Sequence, residues 1–385
     1  METFRFLLTS TFYPPYHLGG DAIHVKYLAD ELVRRGHEVL VLHSVDAFNV
    51  KRKNNGQVNL ESDKVTTHPL RSPFGRLSPL SAYVFGSSFY VEKNFERVLN
   101  EFPPDVVHHH NISLLGHTLL RKRGRYKQLY TAHDHWLICP KNDYMRKGRM
   151  CEEKRCASCL MRNMRPPQLW RKKLNLSDID LTICPSAYMA GQLKELGLRM
   201  VVIPNFAPFQ QVDLPEGKED YFLYLGVIEE HKGIKILLNA FAESKNELVI
   251  GGKGSLSGWL EKVIERDHLS NRVRYLHEVG GEKWTYLAKA SAVVIPSICL
   301  ENSPLVALEA LSVGTPIICT NMGGTREIAE KISGNLVIPV DELHDRLRTL
   351  SPPTIDRNLI MKIFNEEYTI DKYMERYMAI VKEGV

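Results

Sequence analysis

The sequence predicts an α/β protein built from two doubly wound domains in tandem. Short runs rich in β-branched residues alternate with amphipathic helical patterns, and this alternation occurs twice along the chain. A stretch carrying Pro208, Pro215 and Gly217 separates the two series. The chain has 385 residues, 44% hydrophobic and 25% charged, which is ample for two such cores.

The first series opens with a strand over residues 4–9. A helix over 22–35 follows, closed by Gly36, and then a strand over 38–43. Further strands are predicted at 105–109, 128–132 and 179–184, and 201–204 leads out of the domain. The second series has strands at 222–225, 247–250, 273–276, 292–295, 316–319 and 336–338. Helices over 234–242, 256–267, 282–290 and 305–313 lie between them. The predicted organisation is an N-terminal domain over 1–204, a linker over 205–219, a C-terminal domain over 220–354, and a terminal helix over 355–385 that returns to the N-terminal domain. Ligands in such sheets bind beyond the carboxyl ends of the strands.

The N-terminal apolar run follows an acid, Glu2, and lacks a small-residue cleavage site, so it is read as a buried strand rather than a signal peptide. No run of 18 apolar residues occurs. The expectation is a cytoplasmic protein, peripheral at most to the inner face of a membrane.

Charge is uneven. Residues 1–185 carry 28 Lys and Arg against 18 Asp and Glu, and most of the excess lies in 117–173. Such a field attracts an anionic partner: a phospholipid surface, a lipid-linked phosphate or a nucleic acid. The stretch 162–173, with Met164, Leu169 and Trp170 among its bases, suits an anionic membrane, although Pro166-Pro167 interrupts any helix. Cys139, Cys151, Cys156 and Cys159 fall within the same region, spaced C-x11-C-x4-C-x2-C. Four thiolates at that spacing suit a structural zinc, or an iron–sulfur group, in a small insertion at about 136–173. A zinc-containing nucleic-acid binder is the competing reading of this segment. It leaves the second half of the chain unexplained and lacks an aromatic stacking platform, so no nucleic acid is expected.

The richest segment for chemistry runs from Pro296 to Glu327. Glu301 follows a strand and precedes a helix; Ser303 suits the N-cap and Pro304 the first helical position. Glu309 lies on that helix. A helix start offers free N–H groups and about half a positive charge, a seat for a diphosphate. Two acids around a capped helix are equally an ordinary surface arrangement.

This segment resembles the Glu-x7-Glu signature of glycosyltransferase family 4, and the resemblance covers nearly the whole chain. Tyr13-Pro14-Pro15-Tyr16-His17-Leu18-Gly19-Gly20 looks like that family's glycine loop, and Thr131-Ala132-His133-Asp134-His135-Trp136 like its histidine motif. Ile203-Pro204-Asn205 looks like its linker entry. Leu225-Gly226 with Lys232-Gly233 resembles its phosphate motif, and Gly251-Gly252-Lys253-Gly254 the following glycine turn. The resemblance implies the GT-B fold, two Rossmann-like domains facing across a cleft, and retaining transfer from a nucleotide sugar with no catalytic metal. It implies that Lys232 contacts the diphosphate, Glu309 the ribose, and Glu301 the donor sugar. Gly19, Gly20, Gly226, Gly252 and the amides around Asn302, Ser303, Pro304 and Leu305 would border the donor. His133 would sit near the reacting centre, with Asp134 a second candidate.

His110 and Asn111 are acceptor-side candidates. Strand alternation sends neighbours in the run His108-His109-His110 to opposite faces, so these three alone make a poor metal site. His24 reads as packing. One position departs from the family: Val227 stands where an Arg usually follows the glycine, and Lys253 and Arg326 are candidate substitutes. The expected function is transfer of a hexosyl unit from a UDP- or GDP-sugar to a glycan, lipid-linked or other cell-envelope acceptor. The alternatives are an inactive nucleotide-sugar-binding scaffold and an epimerase of the same shape.

Overall fold

A computed structural model describes residues 2–51, 65–147, 149–207, 217 and 219–383. Pro208 and Pro215 of the predicted linker lie outside the described residues. The chain divides into two compact units. One comprises Met1–Tyr144, Glu152–Ile203 and Met374–Val385; the other comprises Met145–Cys151 and Pro204–Tyr373.

The first unit holds a seven-stranded sheet. Its strands are β1 (Arg5–Thr9), β2 (Glu38–Ser44), β3 (Thr66–Leu70), β4 (Val106–His109), β5 (Lys127–Thr131), β6 (Leu181–Cys184) and β7 (Met200–Val202). They pair in the order β3-β2-β1-β4-β5-β6-β7, every pair parallel. Leu7 of β1 stands between Leu40 and Val107. Leu7, Leu8, Val107 and Leu129 are fully buried, as a sheet covered on both faces requires. Helix α1 (Gly20–Arg34) buries Ala22, Val25, Leu28, Ala29 and Leu32, the i, i+3, i+4 stripe of an amphipathic helix. Two further helices, α2 (Leu77–Phe85) and α3 (Phe89–Glu101), carry the chain from β3 to β4.

The second unit repeats the plan with β8 (Tyr221–Leu225), β9 (Glu247–Gly251), β10 (Val273–Tyr275), β11 (Ala292–Ile295), β12 (Ile317–Thr320) and β13 (Val337–Ile338), ordered β10-β9-β8-β11-β12-β13 and parallel throughout. Helices α4 (Ile234–Ala242), α5 (Ser257–Arg266), α6 (Lys283–Lys289) and α7 (Leu305–Ser312) cover it. In each sheet the strand order reverses beside the first strand: between β1 and β4, and between β8 and β11. The loops leaving those strands frame the ligand crevice of a doubly wound domain.

The terminal stretch is two helices, α8 (Arg357–Glu367) and α9 (Ile370–Lys382), with Tyr368 capping the first. The C-terminal part of α9 packs in the first unit. Tyr377 lies 6.1 Å from the Phe6 ring and shares a 3.0 Å hydrogen bond with His108 Nδ1. Lys127 Nζ donates to the carbonyls of Ile380 and Glu383.

The first sheet encloses an unusual number of imidazoles. His43, His108, His109 and His110 are at most 2% exposed. Burial pushes His43 down to about 4 and His109 down to about 3, so both are held neutral. In the unfolded chain they titrate near 6.5. Between about pH 6.5 and 4 the unfolded state therefore binds more protons, and stability falls as the pH falls. A single group such as His43 removes on the order of 3 kcal/mol once both values are passed. Calorimetric melts should show the first unit losing several degrees of midpoint between pH 7.5 and pH 5. A midpoint flat across that range would contradict neutral burial.

Candidate functional site

In the second unit the site grows from the loops after β8 and β11. The chain leaves β8 through Gly226, whose N–H donates to Gly251 O at 3.0 Å, and then turns at Glu230–Lys232. Gly233 follows with φ of +75°, and a Cβ there would fall 1.9 Å from Pro296 O. Only glycine lets the two loops press together. Ile298 N–H then donates to His231 O at 3.0 Å, locking one loop to the other.

Glu301 is held by its own backbone. It bridges to Gly323, and Gly324 N–H donates to its carbonyl at 2.7 Å. A Cβ at Gly323 would meet that carbonyl at 2.1 Å. The Glu301 carboxylate receives Lys232 Nζ in an ion pair and the Ser297 hydroxyl at 2.7 Å. Burial alone would raise the Glu301 pKa, but the Lys232 ammonium and the Ser297 hydroxyl outweigh it, and the net shift is down. Lys232 mirrors this: burial would lower it, and Glu301 holds it up. Both groups are kept charged by each other.

Helix α7 begins at Leu305, the first residue of its predicted range, but its N-cap falls one residue after the predicted Ser303. Pro304, in extended conformation, takes the N-cap, and no side chain caps the helix. The Ser303 hydroxyl is buried without a hydrogen-bond partner among the described residues, and its carbonyl accepts Asn205 Nδ2 at 3.3 Å. The reason is local: Ala307 N–H reaches Pro304 O, so the first helical bond starts from the proline. Asn302 and Leu305 flank this entry. Glu309, one turn on, is 8% exposed and accepts Lys283 Nζ at 2.8 Å. The sequence reading missed Lys283, which sits at the start of α6 with no motif around it. Gly252 follows β9, its N–H bonded to His277 O. Val227 is half exposed. Lys253 pairs with Glu278, and Arg326 with Glu330 at 2.6 Å.

In the first unit the loops after β1, β4 and β5 gather a second group. Gly19, with φ of +85°, caps α1, and Gly20 begins it. Asn111 does not stand free: its Nδ2 donates to Asp21 at 2.8 Å and its Oδ1 accepts Ser113 Oγ at 2.8 Å, which ties the β4 loop to the start of α1. His108 and His110 share a face, their ring centroids 4.0 Å apart, while His109 turns the other way to share a 2.7 Å bond with Thr9 Oγ1. His110 Nδ1 shares a 3.0 Å hydrogen bond with His133 Nε2. Burial lowers His133 to about 4, Asp21 opposing. His24 of α1, read from sequence as packing, lies edge-on to His133 with centroids 5.1 Å apart. Asp134 turns away from this group. It accepts Trp136 N–H at 2.8 Å and Asn142 Nδ2 at 3.1 Å, and burial raises its pKa to about 7.

The segment 136–173 is tied down by Arg171 and Trp170. Arg171 donates to the carbonyls of Trp136, Leu137 and Cys139; Trp170 stacks on His117 and donates to Tyr83 O at 2.9 Å. Cys139, Cys151, Cys156 and Cys159 are half-buried cysteines. Among the described residues, one nitrogen from each of His24, His110 and His133 comes within 4.8 Å of the others, a convergence the thiols do not make. No helix among these residues is long and apolar enough to cross a membrane.

Comparison with known proteins fits this geometry. A family model described as Glycosyltransferase Family 4 matches residues 18–210, and one described as Glycosyl transferases group 1 matches 206–352. An uncharacterized 42.6 kDa protein in the cps region of Klebsiella pneumoniae is 24% identical, covering 96% of this chain and 99% of its own. A glycogen synthase of Mycobacterium tuberculosis is 26% identical over 84% of this chain and 79% of its own. The structure of Anabaena Alr3699/HepE in complex with UDP superposes with a TM-score of 0.69 at 16% identity, covering 99% of this chain and 100% of that one, which shows a shared fold. With two Rossmann-like domains of the GT-B type and a family model spanning half its length, the chain belongs to glycosyltransferase family 4.

Proposed function

We propose that this chain is a retaining glycosyltransferase that moves a hexosyl unit from a UDP- or GDP-sugar to a glycan, lipid-linked or other cell-envelope acceptor. The Lys232–Glu301 pair at the β8/β11 switch point carries this reading. Lys232 and the uncapped N–H groups of α7 receive the diphosphate; Glu309 takes the ribose hydroxyls and Glu301 the sugar hydroxyls. The UDP named with the Anabaena structure supports a uridine nucleotide, and the glycogen synthase relative supports a glycan acceptor.

As the bond from the anomeric carbon to phosphate oxygen breaks, negative charge grows on the departing nucleotide. Donors already in place stabilise it without reorganising. The acceptor oxygen bonds to the anomeric carbon on the face the phosphate leaves, and its proton passes to a phosphate oxygen. His133, neutral at pH 7 because of its burial, hydrogen-bonds a sugar hydroxyl rather than carrying charge. No metal enters these steps.

Lys232→Ala should lower kcat/KM with the preferred nucleotide sugar about 10²–10³-fold, the loss expected of one such donor. Unchanged turnover would remove Lys232 from the diphosphate. Val227 motivates the second reading, a binding scaffold without turnover. Val227→Arg should tighten nucleoside-diphosphate binding and raise kcat/KM, measured by calorimetry and product release. Tight binding without turnover in both forms favours the scaffold.

The first domain also carries the features of peripheral attachment to an anionic membrane. Phe74, Leu77, Phe85 and Phe89, on and around α2, are exposed, as are Met164 and Leu169. Leu169 N–H bonds Val84 O at 2.9 Å, joining the two segments. Exposed Arg71, Arg76 and Arg162 lie in the same segments. Phe85→Asp combined with Phe89→Asp should reduce cosedimentation with phosphatidylglycerol vesicles, where pure phosphatidylcholine vesicles bind neither form. Undiminished cosedimentation would remove α2 from the contact.

A further inference from the structure

We propose that His24, His110 and His133 form a binding site for a late first-row divalent metal ion such as zinc, with three imidazole ligands and an open fourth position. The three residues come from α1, the loop after β4 and the loop after β5, and converge at the carboxyl end of the first sheet. One ring nitrogen from each lies within 4.8 Å of the other two. His110 Nδ1 and His133 Nε2 are already 3.0 Å apart. A tetrahedral zinc with bonds of about 2.0–2.1 Å spaces its ligand nitrogens by roughly 3.3 Å, so closure asks for small ring movements.

The chemistry of the donors suits the ion. Imidazole binds zinc, cobalt, nickel and copper, and it binds them neutral. Burial favours the uncharged ring: His24 and His110 are at most 1% exposed. His110 Nε2 is buried with no hydrogen-bond partner among the described residues, so this ring has a lone pair or an N–H that the protein leaves unsatisfied. Asp21, at the start of α1, acts on His133 and holds Asn111, supplying the negative charge that commonly stands behind ligating histidines. His108 packs against His110 and is fixed by Thr131 Oγ1 at 2.8 Å and by Tyr377, which stiffens the floor of the site.

Three histidines and an open position leave room for water or a substrate oxygen. Metal bound here occupies His133, so it competes with the hydrogen bond to a sugar hydroxyl assigned to that residue above. Inhibition of transfer by zinc rests on that assignment; metal binding does not.

The test uses the full chain freed of metal and kept reduced. Cobalt(II) titration should give one equivalent with visible d–d bands and no near-ultraviolet sulfur-to-cobalt band, which separates this site from the cysteines. His24→Gln and His110→Gln should each weaken cobalt binding at least tenfold, with circular dichroism and melting checked against the wild type. X-ray absorption of the wild-type zinc form gives a readout that no variant's folding can confuse: imidazole nitrogens should dominate the first shell. A sulfur-dominated shell, absence of binding, or cobalt affinity unchanged in both variants would overturn the site. Zinc that binds through these histidines yet leaves transfer undiminished upholds the site and instead removes His133 from the transfer reaction.

Discussion

The ion pair between Lys232 and Glu301 is the constraint around which the second domain is arranged. The two residues are 69 positions apart in sequence and meet because β8 and β11 are neighbours at the strand-order reversal. Neither charge is free to leave. Each is largely withdrawn from water, and a lone charge so placed would cost several kcal/mol. The pair is therefore a mutual condition: Lys232 stays an ammonium because Glu301 is present, and Glu301 a carboxylate because Lys232 is. Gly233 and Gly323 follow from the same demand, since any side chain there would separate the loops that bring the charges together.

Much of this was legible in the sequence. Strands buried on both faces read as continuous apolar runs, and α4 falls on its predicted residues because its stripe of Ile234, Leu237, Leu238 and Phe241 has no competing period. The edge strand β3 was not legible: Thr66–Leu70 contains a proline and alternates poorly, as edge strands do. The helix entry at Pro304 was misplaced by one residue because Ser303 has the composition of a cap without the geometry of one. Partners distant in sequence escaped altogether. Nothing in the residues around Lys283 announces Glu309, and nothing in α1 announces that His24 faces His110 and His133.

That last grouping shows what strand alternation decides and what it leaves open. Period two separates His109 from His108 and His110, and the structure obeys it. Alternation therefore rules out the contiguous triad, yet it also delivers His110 to the face where α1 and the β5 loop bring two more imidazoles. The first domain then concentrates neutral, buried nitrogen donors while its surface concentrates basic charge. The two features separate by depth. Lys and Arg keep their heads in water, and the interior uses a base that burial can discharge.

The missing arginine at Val227 gains a different weight in this setting. Lys253 and Arg326 are both engaged, but their partners Glu278 and Glu330 are exposed. Exposed pairs of this kind contribute about 0–1 kcal/mol, whereas a charge-assisted bond to an anion contributes roughly 1.5–3 kcal/mol. Such pairs yield to a diphosphate without a substantial penalty. Lys232 is different, because parting from Glu301 strands a buried carboxylate unless sugar hydroxyls replace the ammonium. Under the proposed function, the phosphate that draws Lys232 away would be covalently joined to the hydroxyls that satisfy Glu301, and a nucleotide alone would lack them, so the coupling would favour an intact nucleotide-sugar donor over its product.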